Sequence, residues 1–349
     1  MIKMLKKNPK IKLFTTPSHG QKFSIFSKLK SFYKYDISEN DAYNPEEALE
    51  KSQKNAAKIY GTKSTNYLIN GSTSGVIASV LSCVKKGEKV LIWDNAHRCH
   101  LNAVKLAGAI PVFYSLEKDE NWGFFKETKI SDIEIKLKEN DIKAVIVTSP
   151  SYFGVQSNIK SLSEICKKYG AYLIVDEAHG ALYPFFEELG KSAINEGADF
   201  IIQSLHKTAG GLNPTALLHN NTTLDVKPYL DMISTTSPSY PLLASIEKNI
   251  AYLNSKKGKD KVKKLICSIK TLRENVNNVE FYNGLDVTKI VVKKSNMTGE
   301  NLSKILYDNY IEDEKVSEKS VLLLCGLGCD EKKLKYLEKV LKKLWYLFC

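Results

Sequence analysis

The chain has 349 residues, 43% of them hydrophobic and 26% charged, with a formal net charge of +12. That is enough for a sizeable core and about two domains, and no apolar run approaches the roughly 20 residues a membrane-crossing helix needs. The excess charge is almost all lysine, Arg98 and Arg273 being the only arginines, so the forked base contacts typical of nucleic-acid readers are not expected.

In chain order, residues 1–40 form a lysine- and aromatic-rich arm. Its start, MIKMLKKNPKIKLF, has no apolar block or small-residue cleavage site, so no signal peptide is expected. YNPEEALEKSQKNAAKIYG (43–61) reads as a helix, with Pro45 in its first turn and Gly61 closing it. TNYLING leads to a helix over 74–85. KVLIWD (89–94) is a strand, 98–107 a helix and IPVFYSL a strand. SDIEIKLKEN is a helix, KAVIVTSP a strand, SLSEICKKYG a helix and AYLIVDEAHG a strand. DFIIQSLHK is a further strand. Near-continuous Val, Ile and Leu strands between helices predict an α/β domain, with a mostly parallel sheet covered on both faces. We bound this large domain at 41–250. The basic run SKKGKDKVKKL (255–265) lacks interleaved aromatics and reads as a solvated helix start. LDVTKIVVKK and VLLLCGLG read as strands and DEKKLKYLEKVLKKLW as a final helix, which makes 251–349 a small α+β domain. The seven cysteines form no CxxC pair. This predicts reduced thiols, a cytoplasmic setting and no metal site, Cys325 and Cys329 included.

Ligands of open parallel sheets bind at the carboxyl ends of the strands. Four polar clusters fall at such points: NGSTSG (70–75), DNAHRCH (94–100), DEAHG (176–180) and SLHK (204–207). The first, at a helix start, could be an anion site or a plain N-cap. His97 could lie flat on a conjugated ring or be purely structural. Asp176, ending an apolar strand, needs a cationic or hydrogen-bonding partner. Lys207 could form a Schiff base with an aldehyde, or simply be solvated.

Taken together, the Ser-x-His-Lys motif, the Asp-x-Ala-His motif 31 residues upstream and the later STTSPSYPLLASIE (234–247) resemble the ornithine/lysine/arginine decarboxylase family. The resemblance covers roughly residues 15–330. It implies the fold-type-I architecture of pyridoxal-phosphate enzymes and a short form without a further C-terminal domain. Lys207 would carry the cofactor covalently, Asp176 would pair with its pyridine nitrogen and His97 would stack on its ring. Thr73, Ser74 and Gly75 would form the phosphate turn, joined by Ser204 and His206, and His179 would support the other side. The resemblance also implies a homodimer with shared active sites, or a higher oligomer, in which Thr235, Thr236 and Ser237 reach the partner's phosphate.

The expected reaction is decarboxylation of a basic amino acid (lysine, ornithine or arginine) through a quinonoid, in the service of polyamine biosynthesis. His179 or Lys207 would act as general acid. No arginine follows residue 273 to clamp the substrate carboxylate, and an unclamped carboxylate leaves more readily as CO₂. Lys289 or Lys293 could replace that clamp. The alternatives are another lyase reaction (β-elimination or aldol cleavage), an aminotransferase, or a binding protein without catalysis. TPSHGQ (16–21) and TAGGLNP (208–214) depart from the family pattern where substrate choice is expected.

Overall fold

The computed structural model describes residues 12–14 and 48–344. The arm's TPSHGQ and the helix-start Pro45 lie outside the described residues.

The predicted alternation forms one seven-stranded sheet. Its strands are β1 (Ser64–Leu68), β2 (Lys89–Trp93), β3 (Ile110–Tyr114), β4 (Ile142–Thr148), β5 (Tyr172–Asp176), β6 (Phe200–Ser204) and β7 (Ala216–Asn220). The order across the sheet is β1-β7-β6-β5-β4-β2-β3. All neighbours are parallel except those of β7, which runs antiparallel to both β1 and β6. The central strands are aliphatic on both sides because both faces are covered. Leu91, Val145, Leu173 and Ile201 pack against one set of helices, and Ile92, Ile146, Ile174 and Ile202 against the other. The first set includes α1 (Ala48–Tyr60) and the second includes α2 (Ser72–Cys83) and α3 (Arg98–Leu106).

Two departures from the sequence reading matter for the site. The expected strand through Lys207 stops at Ser204, and Leu205–Thr208 is a single helical turn. Gly210 (φ 79°) then turns the chain. At Gly211 a Cβ would stand 2.7 Å from both Leu205 Cβ and Thr215 Oγ1, so the return passes directly beside the turn. The second departure is β7, which the sequence reading left out.

The C-terminal part is a separate four-stranded antiparallel sheet. It comprises β8 (Glu280–Phe281), β9 (Lys289–Lys293), β10 (Lys315–Val316) and β11 (Val321–Leu324), in the order β8-β9-β11-β10. Leu265, Ile269, Leu302, Leu306, Leu337 and Leu341 from three helices cover it. Phe14, from the start of the chain, is fully buried in the same core, and its carbonyl accepts from Leu324 N at 2.8 Å.

Gly75 sets how closely α2 approaches the large sheet. A Cβ there would lie 2.9 Å from Leu68 Cδ1 and 3.0 Å from Ile202 Cγ2. We therefore expect Gly75→Val to lower stability by roughly 1–3 kcal/mol through overpacking, read by urea denaturation of the cofactor-free protein.

Candidate active site

A cavity of about 380 Å³ opens at the carboxyl ends of the large sheet. That volume suits a small-molecule site. Trp93, Asn95 and His97 line it after β2, Thr148, Ser151 and Tyr152 after β4, and Asp176 and His179 after β5. Lys207 enters from the turn after β6, Ser72 from the start of α2, and Lys315 and Ser317 from the small domain.

Asp176 ends β5 and is buried. Its Oδ2 lies 3.0 Å from His100 Nε2, and its Oδ1 accepts from Ala178 N at 3.2 Å. Burial pushes its carboxyl up, but the His100 bond and the positive Lys207 outweigh this and hold it below its ordinary value. Lys207 Nζ is 3.2 Å from His179 Nε2 and 5.6 Å from the centre of the Tyr152 ring. Desolvation is the main cause that lowers its pKa, with Asp176 and Glu314 opposing. A depressed amine pKa is what a nucleophilic lysine needs. We expect the rate of covalent pyridoxal-phosphate uptake by the empty protein to rise with pH, because only the unprotonated amine attacks. The rise should level off at lower pH than for an exposed lysine, whose ordinary value is 10.5. Stopped-flow absorbance at several pH values reads this directly.

His97 caps α3, and its Nδ1 sits 2.9 Å from Cys99 Sγ. Partial burial lowers its pKa, against a raising influence from Asp176. His179 is buried, and its ring centre is 4.4 Å from that of Tyr152. Burial first, then the positive Lys207 and Lys289, push its pKa well below the usual value. This disfavours the protonated form of the imidazole.

The turn expected to bind phosphate lies at the start of α2. Gly71 takes φ 89° and the helix begins at Ser72, so Ser72 is the hydroxyl residue that faces the cavity. Thr73 is exposed. The Ser74 hydroxyl turns back to donate to Asn70 Oδ1 (2.6 Å) and Gly71 O (2.7 Å), and Gly75 serves packing. Ser204 is fully buried beside this region with its hydroxyl unpartnered, while His206 Nδ1 is tied to Thr215 O at 3.0 Å. Neither lines the cavity. Thr235, Thr236 and Ser237 are exposed and line no part of it within one chain.

The clamp candidates are also placed elsewhere. Lys289 is buried and donates to Asp286 Oδ2 (2.5 Å) and His179 O (3.0 Å). Lys293 binds Asn121 Oδ1 (2.6 Å) and Glu280 (3.1 Å). The sequence reading missed His100, Tyr152 and Lys315. His100 stood within the quoted DNAHRCH, three residues from His97, and that spacing puts both on adjoining parts of one helical turn. Lys315 gave no local signal, since only the packing of the two domains brings it to the cavity.

The donors fit a phosphorylated pyridine aldehyde. A buried acid lies at one wall, a desolvated amine at another and a helix start at a third. The buried Trp93 Nε1, on the cavity-lining Trp93, has no partner among the described residues. Among the described residues, Cys99, His100 and Asp176 also form one group whose donor atoms could hold a metal ion. Burial raises the Cys99 thiol to about 12.

Comparison with known proteins follows the same lines. A family model described as Orn/Lys/Arg decarboxylase, major domain, matches residues 30–296. An arginine decarboxylase of Halalkalibacterium halodurans is 29% identical over 329 residues, 87% of this chain and 66% of that protein. Lysine decarboxylase LdcA of Pseudomonas aeruginosa is 24% identical over 66% of this chain and 34% of its own length. The E. coli constitutive lysine decarboxylase structure superposes with a TM-score of 0.79 at 18% identity, over 90% of this chain and 54% of that one. The chain thus spans about two thirds of the curated arginine decarboxylase and about half of the lysine decarboxylase structure. Aminotransferase and serine palmitoyltransferase structures align over nearly the whole chain, at TM-scores of 0.72 and 0.75. The shared architecture is that of fold-type-I pyridoxal-phosphate enzymes.

Proposed function

Because the chain belongs to the Orn/Lys/Arg decarboxylase family, we propose that it is an amino-acid decarboxylase acting on lysine, ornithine or arginine. Family and fold imply pyridoxal phosphate as cofactor. The observation that carries the reading is the placement of a desolvated Lys207 and a buried, ionised Asp176 on one cavity.

When bound, the cofactor supplies an electron-withdrawing ring that accepts the pair left by the departing carboxylate. The chain's own residues do the rest. Lys207 would hold the aldehyde carbon, and its Nζ would carry a proton to the substrate. His179 Nε2, held uncharged 3.2 Å away, shares a hydrogen bond with that amine and orients it. Asp176 holds a negative charge where the ring nitrogen is to stay protonated. His97 and Tyr152 line the cavity. Ser72 and the start of α2 receive the phosphate, with Thr235, Thr236 and Ser237 of the partner subunit in a homodimer.

One observation favours the second reading, an aminotransferase or another lyase. Lys315 reaches the cavity with its Nζ 4.4 Å from the centre of the Tyr152 ring, and could hold the substrate carboxylate in the arginine's stead. Incubation with a panel of amino acids separates the two. CO₂ with the matching amine supports decarboxylation. A keto acid, pyruvate with ammonia, or glycine moves the assignment to the second reading.

A further inference from the structure

Asp176 is held from behind by a group that the reaction above does not use. His100 is fully buried and its Nε2 lies 3.0 Å from Asp176 Oδ2. Its Nδ1 is also buried and has no hydrogen-bond partner among the described residues. A proton on Nδ1 would be a donor without an acceptor, whereas a proton on Nε2 is satisfied by the carboxylate. The geometry therefore assigns the hydrogen to Nε2, which donates to Asp176.

We propose that His100 is a positioning residue for the cofactor, fixing the Asp176 carboxylate so that Oδ1 keeps a lone pair for the ring nitrogen. Oδ1 receives the Ala178 N–H at 3.2 Å and has capacity for one further donor. Two fixed donors, one to each oxygen, leave the carboxylate little freedom to rotate. Burial alone would drive this acid towards its neutral form, and the His100 bond is the largest of the causes that oppose it. A carboxylate oriented by a second group performs better than one left to its own rotamers. The inference rests on the reading of this cavity as the cofactor site.

The test compares His100→Leu and His100→Gln with the unaltered protein, each reconstituted with pyridoxal phosphate. The readouts are the cofactor Kd, the pH midpoint of its absorbance band and kcat. The charged and titratable groups around Asp176 are Lys207, His97, Cys99 and Tyr152, and all are retained in both variants. Loss of a hydrogen bond to a buried charge predicts a Kd about tenfold to hundredfold weaker in His100→Leu, with a displaced absorbance midpoint. His100→Gln, which retains a donor, should stay within about threefold of the unaltered protein. In an Asp176→Asn background, His100→Leu should add little, because the two act as a unit.

An unchanged Kd and midpoint in His100→Leu would overturn the inference. So would equal losses in both variants accompanied by a lower Tm, which indicates packing alone. Stoichiometric zinc in the purified protein, lost on His100→Leu, would replace it with a metal site. If the unaltered protein takes up no pyridoxal phosphate, the cofactor reading fails and this inference with it. If it does take it up and the variants behave as expected but no CO₂ is released, the inference stands and decarboxylation alone fails.

Discussion

On the proposed function, Lys207→Ala should reduce turnover at least about a thousandfold, since it would remove both the covalent anchor and a proton carrier. The loss should be chemical rather than structural. Desolvation is the largest influence on Lys207 and disfavours its charged form, so exchange for alanine relieves a buried cation. The cofactor-free variant should unfold no earlier than the unaltered protein, as read by Tm. Added small primary amines should recover part of the activity by supplying a free nucleophile and proton carrier. Full turnover in Lys207→Ala would remove both the decarboxylase reading and its alternatives.

Asp176→Asn comes next in expected effect. The substitution is nearly isosteric and keeps the covalent anchor, so cofactor should remain attached. What is lost is the negative charge in a water-poor wall, where it is worth far more than in solvent. Removing one preorganised electrostatic contact of this kind typically lowers kcat by about 10²–10³. We expect a fall in that range with a smaller change in KM, because the charge matters most as electrons move into the ring. A variant with unaltered kcat would mean that the aspartate does not face the cofactor's nitrogen.

Much of this site was legible before the structure. Strands such as IKAVIVT and YLIVD are apolar on both sides, which only a doubly covered parallel sheet explains, and their polar ends then had to meet at one edge. Asp176, His97, His179 and Lys207 all line the cavity as that logic requires. What escaped the reading depends on context rather than composition. Strand β7 (ALLHN) is short, ends in His219 and Asn220, and follows a Gly- and Pro-containing loop, so it gave no periodic signal. All five of its residues are buried because β1 and β6 flank it. At the turn expected to bind phosphate the helix starts at Ser72, two residues before the expected start at 74, and Ser72 rather than Thr73 or Ser74 lines the cavity. Helix ends are read from sequence only to within a residue or two. Lys315 and Ser317 become site residues solely because the small domain packs over the sheet edge, and no local pattern encodes that contact.

The central claim is a single covalent bond between pyridoxal phosphate and Lys207. Borohydride reduction of the reconstituted protein, followed by proteolysis and peptide mass spectrometry, locates that bond. The account predicts one phosphopyridoxyl group per chain, on the peptide that contains Ser204-Leu205-His206-Lys207. A group on any other lysine, or none at all, would contradict it.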